Sequence, residues 1–304
     1  MLDRDEVVRA RATIGDRVSR TPMLTSRALG ARLKCELFQR TGSFKARGAL
    51  NRISALTDGE RERGVITISA GNHAQAVAFA ATAEGVDSLI VMAQGASPQK
   101  IAATRAYGGT VDLEAPDFAA AFERVFALTE ETGRVLVHPH EDPLVLAGAG
   151  TVGLEIEEDA ADADAVLVAV GGGGLIAGIT AAIGDRTRVI AVEPERSQAF
   201  HAAVAAGGPT PVSAASIADG LNAPRLGRLP YELCRHLESV LVTEDEIREA
   251  FRFLYARAKL AVEPAAAAAA AALLTGKVKA ERPVVVVSGG NVGSELASDI
   301  LASR

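Results

Sequence analysis

The chain has 304 residues, of which 48% are hydrophobic and 23% are charged, as in a globular protein with a substantial core. That length is enough for two ordinary domains or one large α/β domain. The 32 basic and 38 acidic residues give a net charge of -6, which provides no electrostatic footprint for nucleic acid.

The apolar segments and the cysteines argue against a membrane partner and against a secreted protein. The longest apolar run, 265–274, is too short and too rich in alanine to cross a bilayer. The charged start, residues 1–6, lacks the apolar centre of a signal peptide. Cys35 and Cys234 are far apart and have no metal-ligand spacing. We therefore predict a cytoplasmic protein with two reduced thiols.

Short β-branched runs alternate with alanine-rich helical stretches along the chain. In chain order the patterns predict strand 65–69, helix 72–84, strand 88–92, helix 97–107, strand 165–170, helix 175–183, strand 188–192 and strand 284–288. The strands are continuously apolar, which is typical of parallel strands buried on both faces. The prediction is an α/β fold with two open parallel-sheet domains and helices on both faces of each sheet.

Two stretches are candidates for the points where the chain passes between these domains. One is the turn-rich run 138–143, and the other lies near 50–64. We predict a small domain, 64–141, inserted between two parts of a larger cofactor-binding domain, 1–53 and 143–304.

A run of four glycines lies between a predicted strand and a predicted helix. It consists of Gly171, Gly172, Gly173 and Gly174 and is followed by Leu175. Such a run lets the backbone approach an anion closely, with free amides and a helix N-terminus directed at it. We interpret it as a phosphate site. The spacing from Gly172 to Ala177, with Glu193 about 20 residues on, also fits a dinucleotide fingerprint, so a nicotinamide-binding oxidoreductase is an alternative.

A second segment, 41–48, bears on these alternatives. Its lysine, Lys45, follows a Gly-Ser pair and Phe44, an apolar neighbour that would favour the neutral amine needed for imine chemistry. By spacing alone, an exposed helix lysine beside Arg47 is the simpler interpretation.

The sequence Thr-Gly-Ser-Phe-Lys-Ala-Arg-Gly at 41–48 resembles the cofactor-lysine motif of the serine/threonine dehydratase and serine racemase family. These proteins have the tryptophan synthase β-like fold and use pyridoxal 5'-phosphate. Three further segments match in order: 69–73 (Ser-Ala-Gly-Asn-His), the four glycines, and 288–291 (Ser-Gly-Gly-Asn). The similarity extends from residue 20 to near the C-terminus.

The resemblance implies a role for each matching residue. Lys45 would hold the cofactor as a Schiff base and later move the Cα proton, with Phe44 beside it. Asn72 would bind the 3'-oxygen of the cofactor, and Ser288 would face its pyridine nitrogen. The glycines and Leu175 would hold its phosphate. The substrate carboxylate would be bound by the loop Ser69, Ala70, Gly71, Asn72 and His73.

The resemblance also indicates a dehydratase rather than a racemase. Serine racemases carry a proton-donating serine directly before the Gly-Asn-His triplet, whereas dehydratases carry an alanine at this position, as this chain does with Ala70. The resemblance therefore implies an L-threonine/L-serine ammonia-lyase that releases 2-oxobutanoate or pyruvate and acts as a homodimer. A dehydratase or racemase acting on another β-hydroxy amino acid is the alternative within the family.

Three departures from the family pattern and one histidine pair lead to further expectations. The segment 26–33 is shorter than usual, which weakens the prediction of a strand before the lysine motif. Glu193 and Glu195 have no third carboxylate nearby, so we expect no metal. His138 and His140 are expected to serve loop packing. The alanines after Glu263-Pro264 are expected to fill a buried helix.

Overall fold

The computed structural model describes residues 2–303, whose strands form two sheets. The strands are β1 Met23–Ser26, β2 Ala31–Cys35, β3 Val65–Ile68, β4 Ser88–Ala93, β5 Thr110–Ala115, β6 Val135–Leu136, β7 Ala165–Ala169, β8 Arg188–Pro194, β9 Glu238–Val242 and β10 Pro283–Val287. The larger sheet has the order β1-β2-β10-β7-β8-β9, and the smaller has the order β5-β4-β3-β6. All neighbouring strands are parallel except β1, which runs antiparallel to β2.

Helices cover the sheets and supply most of the remaining core. They are α1 Arg4–Ile14, α2 Lys45–Ser54, α3 Asp58–Arg63, α4 Asn72–Ala83, α5 Pro98–Ala106, α6 Phe118–Thr132, α7 Pro143–Asp159, α8 Gly174–Ile183, α9 Ala199–Ala206, α10 Arg228–Cys234, α11 Glu244–Phe253, α12 Pro264–Leu274 and α13 Ser294–Ala302. Helices α7 and α8 pack on one face of the larger sheet, and α11 and α12 pack on the other. None of the helices within residues 2–303 combines the length and apolarity of a membrane span.

The α/β fold predicted from the apolar runs is confirmed. Every residue of β7 and of β10 is buried, because both strands lie inside the larger sheet with helices on both faces. The smaller sheet is built from residues 65–136, and the larger from residues before and after that stretch. This division supports the inserted-domain prediction, whose exact bounds remain a prediction.

The expectation that the short segment 26–33 weakens the strand before the lysine motif was wrong. The chain turns tightly after β1: the amide of Leu29 donates to the carbonyl of Ser26 at 3.2 Å, and Gly30 adopts a left-handed conformation with φ +68°. This turn replaces a longer connection, and β2 forms directly after it, paired with β10.

Helix α12 explains the run of eight alanines. Ala265–Ala272 are all buried, each with 2% or less of its surface exposed. The helix packs against the larger sheet on the side opposite α7 and α8. Methyl side chains all around the helix let it lie close to the sheet. The alanines therefore fill a buried helix, as expected.

Helix α2 is fixed by a buried ionic network centred on Arg47, which is fully buried rather than exposed beside the lysine. Its guanidinium donates to both oxygens of Glu36, at 2.8 Å each, and to those of Glu155, at 2.6 and 3.0 Å. The buried Lys34 ammonium lies 2.6 Å from the same Glu155 carboxylate. Two cations and two carboxylates thus compensate each other beneath the first turn of α2.

Helices α7 and α8 cross at a point where only glycine fits. A Cβ on Gly178 would overlap the carbonyl oxygen of Leu146 and would lie 2.5 Å from the amide nitrogen of Gly150. Since both obstacles are backbone atoms, neither can move aside without separating the helices.

We expect Gly178→Ala to lower the free energy of unfolding by about 2 kcal/mol, because the added methyl group overpacks this crossing. Thermal unfolding followed by circular dichroism measures the effect. Gly59→Ala in the exposed helix α3 is the matched control, since its nearest obstacle is a flexible arginine tip at 3.6 Å. Equal unfolding midpoints for the two variants would show that the α7–α8 crossing tolerates a methyl group.

Candidate active site

A cavity of about 730 Å³ opens where one strand of the smaller sheet, β3, and two strands of the larger sheet, β7 and β10, end. The segments that follow β3, β7 and β10 all contribute to its wall: residues 69–73, the glycine turn 172–175 and Ser288. Ligands of open α/β sheets bind beyond the carboxyl ends of the strands, which is where this cavity lies. The sequence motifs are therefore brought together by the direction of the strands.

Lys45 begins α2 and extends into this cavity. The loop before it is held to the end of β10, because Ser43 bridges Gly289 and the amide of Phe44 donates to the carbonyl of Ser288 at 3.1 Å. The Lys45 ammonium donates to the carbonyl of Pro139 at 3.2 Å, and the Phe44 ring centre lies 5.1 Å from its Nζ. Both predicted residues thus line the cavity.

Burial lowers the pKa of Lys45 to about 8, an effect that the nearby carboxylate of Glu263 partly opposes. An ordinary lysine is almost fully charged at neutral pH, whereas about a tenth of this amine is neutral at pH 7. The neutral amine is the form that attacks an aldehyde. The lysine is therefore suited to imine chemistry.

Asn72 is held by two residues that the sequence did not identify as part of the site. Its amide nitrogen donates to the two carboxylate oxygens of Glu263 at 2.8 and 3.0 Å, and its oxygen accepts from Asn291 at 2.8 Å. Burial raises the pKa of Glu263 to about 7. The sequence did contain a signal for Glu263, because this charged residue stands directly before a proline and an alanine helix. For Asn291, the signal was its place at the end of a matched motif.

The glycine turn presents unpaired amides to the cavity. Among the described residues, none accepts a hydrogen bond from the amide of Gly172 or Gly173. Gly173 has φ +92°, and Gly174 and Leu175 begin α8, so the turn and the helix N-terminus are directed the same way. Gly171 does not reach the cavity wall; it packs against the backbone of Leu221. The arrangement suits a phosphate group.

The segment 69–73 forms the entry to α4 and lines the cavity throughout. The Ser69 hydroxyl accepts from the amide of Gly71 at 3.1 Å and so shapes the turn. His73 is buried, and its Nε2 lies 2.9 Å from the carbonyl oxygen of Val137. Burial and the neighbouring Lys45 lower its pKa to about 3, so His73 is neutral and serves the structure of the loop.

His138 and His140 were expected to serve loop packing, and the structure places both in the cavity wall. Nδ1 of His138 accepts from the amides of His140 and Glu141, at 3.3 and 3.1 Å, which agrees with the packing role for His138. The rings meet edge to face with centres 4.7 Å apart. His140 also lies against the glycine turn, a contact that sequence spacing did not indicate.

Glu193 lies away from the cavity. It is fully buried, and its carboxylate accepts from the amides of Phe200 and His201 at 2.7 and 2.8 Å at the start of α9. A dinucleotide site would need this carboxylate free to bind a ribose. Its position therefore argues against the nicotinamide alternative.

Comparisons with known proteins agree with the geometry of the cavity. Residues 14–290 match the family model described as "Pyridoxal-phosphate dependent enzyme". The catabolic L-threonine dehydratase TdcB of Escherichia coli is 41% identical over 97% of this chain and 95% of its own length. An L-threonine ammonia-lyase of Thermotoga maritima is 40% identical over 99% of this chain and 78% of its own length. The structure of maize serine racemase superposes with a TM-score of 0.92 and 34% identity, over 98% of this chain and 96% of that one.

Proposed function

The chain belongs to the pyridoxal-phosphate-dependent enzyme family, and on that basis we propose that it is an L-threonine/L-serine dehydratase. It converts L-threonine to 2-oxobutanoate and ammonia, and L-serine to pyruvate and ammonia. The observation that carries this proposal is the Lys45 amine in the same cavity as the free amides of the glycine turn.

The residues of the cavity fit pyridoxal 5'-phosphate. The lysine amine suits its aldehyde, and the free amides of 172–175 suit its phosphate. Ser288 is buried at the end of β10 and would offer its hydroxyl to the pyridine nitrogen. The Asn72 amide nitrogen, which donates to Glu263, would have to redirect part of this hydrogen bonding towards the 3'-oxygen. When bound, the cofactor supplies an electron sink that acidifies the Cα–H bond of an attached amino acid.

The residues of this chain would then divide the remaining work. Lys45 takes the Cα proton, since its pKa, lowered by burial, leaves part of the amine neutral and able to act as a base in the cavity wall. The amides at the start of α4, together with Ser69, bind the substrate carboxylate. The β-hydroxyl then leaves, and hydrolysis of the eliminated product releases the keto acid and ammonia. Enclosure of the cavity between the two sheets limits access of water until elimination is complete.

Elimination is favoured over racemisation by the residue before Gly71. Racemisation requires a proton donor on the cofactor face opposite the lysine, and Ala70, which lines the cavity, has no proton to give. Ser288 is compatible with elimination, because a hydroxyl makes the cofactor a weaker electron sink than a carboxylate would, and the departing β-hydroxyl carries away the electron pair.

We also propose that the protein acts in the cytoplasm as a homodimer. Both cysteines are buried and free, which suits a reducing compartment. Several large apolar side chains are exposed on the single chain, among them Phe38, which is 52% exposed. Sedimentation velocity of the purified protein would show a dimer if this proposal holds and a monomer if it does not.

Release of keto acid from a panel of amino acids tests the proposed activity. We expect L-threonine and L-serine to be turned over and alanine to be inert, because alanine lacks a β-hydroxyl. D-serine formation from L-serine should be undetectable. If another β-hydroxy amino acid is the only substrate, or if L-serine is racemised without keto-acid release, the proposed activity is wrong.

The low pKa of Lys45 predicts how cofactor uptake depends on pH. For the cofactor-free protein, the rate of imine formation should rise about tenfold from pH 6 to pH 7 and level off above pH 8, because only the neutral amine reacts. Glu263, His73, His138 and His140 are the titratable groups around this amine. Stopped-flow absorbance measures the rate. A continued rise to pH 10 would show that the lysine has an ordinary pKa.

A further inference from the structure

His140 lies directly on the glycine turn. A Cβ added to Gly172 would overlap its imidazole ring, and a Cβ on Gly174 would lie 3.4 Å from the Cα and Cβ of His140. The ring therefore packs directly against the turn. Glycine at 172 leaves the space that this ring occupies.

The loop that carries His140 is fixed to the larger sheet's side of the cavity. The Glu141 carboxylate accepts from the amides of Arg228 and Leu229, at 2.6 and 3.3 Å. The carbonyl oxygen of His140 lies so close to Gly227 that a Cβ there would be 2.9 Å away. These contacts position the imidazole on the turn.

The His140 ring has unused hydrogen-bonding capacity. Within residues 2–303, no protein atom hydrogen-bonds to either of its ring nitrogens, whereas Nδ1 of His138 is already occupied by two loop amides. A half-buried imidazole without a protein partner, beside unpaired amides, has an N–H available for a ligand in the cavity. All the groups in question, backbone amides and an imidazole, donate hydrogen bonds to an anion.

The charges around the ring also favour an anion. Burial and the neighbouring groups His138, Lys45, His73 and Arg225 hold the pKa of His140 well below its ordinary value. The guanidinium of Arg225 lines the same cavity. A phosphate dianion at the turn would oppose these effects and favour the protonated imidazole.

We propose that His140 is a direct ligand of the phosphate bound at the glycine turn and donates a ring N–H to it. This inference rests on the proposed cofactor. It assigns to His140 a binding role that the matched sequence motifs do not include.

Binding of pyridoxal 5'-phosphate and of pyridoxal to the full chain freed of cofactor tests this role. His140→Phe should weaken binding of the phosphate ester about tenfold, and His140→Asn should weaken it less, since its amide also donates. Neither change should alter the affinity for pyridoxal, which has no phosphate. His236→Asn, which removes an exposed imidazole, is the matched control.

Equal affinities of the wild type and both His140 variants for the phosphate ester would overturn the inference. An equal loss for the ester and for pyridoxal would also overturn it, since that pattern indicates a packing role. The two proposals fail differently: if the wild type does not bind pyridoxal 5'-phosphate, the proposed function falls as well.

A measurement on the unaltered protein decides the question if a variant does not fold. Inorganic phosphate added to the protein with ¹⁵N-labelled histidines should shift the His140 ring-nitrogen resonances towards those of a protonated imidazole. The His236 resonances should not move. No shift at His140 when phosphate saturates the site would overturn the inference.

Discussion

Lys45→Ala should lose keto-acid production from L-threonine, with kcat falling on the order of 1,000-fold or more. The variant lacks both the amine that holds the cofactor and the base that takes the Cα proton. Within residues 2–303, Lys34 is fully buried in the ionic network, and Lys100, which lines the cavity, pairs with Asp219, so neither provides a free amine in place of Lys45. A coupled assay for 2-oxobutanoate measures the loss.

The matched control for this change is Lys279→Ala, which removes an exposed lysine outside the cavity. It should keep the wild-type kcat and absorption spectrum. Comparable activity of Lys45→Ala and Lys279→Ala would show that another group performs the proton transfer, and the assignment of Lys45 would have to be abandoned.

Arg47→Leu should lower the free energy of unfolding by about 3–5 kcal/mol, because it leaves the buried carboxylates of Glu36 and Glu155 without their main partner. At this chain length, the unfolding midpoint should fall on the order of 10 °C. Since Arg47 lies one turn or less from Lys45, the start of α2 should also loosen and weaken cofactor binding. Thermal unfolding with and without cofactor measures both effects.

An exposed ion pair provides the comparison. Arg188 pairs with Glu238 at 3.5 Å on the surface, with 47% and 45% of the two side chains exposed, so Arg188→Leu should change stability by at most about 1 kcal/mol. If both substitutions had equally small effects, the buried network would not contribute to stability in the way its geometry indicates.

Apart from β2, the interior strands were predictable from the sequence, and the edge strands were not. Strands β3, β4, β7, β8 and β10 were predicted to within two residues, because burial on both faces makes such runs continuously apolar. Strand β5 has only one buried residue and reads as a mixed polar segment, and β6 has only two residues. Their pairing depends on the neighbouring strand, which local sequence does not reveal.

The cofactor residues were predictable because they lie in short motifs at strand ends. The predicted residues Phe44, Lys45, Asn72 and Ser288 all line the cavity. The partners that hold them were not predicted, because their contacts join distant parts of the chain. Glu263 meets Asn72 across 191 positions, and Arg47 meets Glu155 across 108.

His140 shows the same limit in a residue that the sequence did single out. Two histidines separated by one residue in a turn resemble ordinary loop packing, and for His138 that expectation agrees with its hydrogen bonds. Only the three-dimensional contact with Gly172 separates the roles of the two rings.

Reduction of the purified protein with borohydride, followed by peptide mass spectrometry, would locate the cofactor on the chain. We expect the reduced pyridoxyl phosphate group on Lys45, with loss of the visible absorption and of threonine turnover. A protein that carries no such group after incubation with the cofactor, or that carries it on another lysine, would show that Lys45 is not the cofactor lysine.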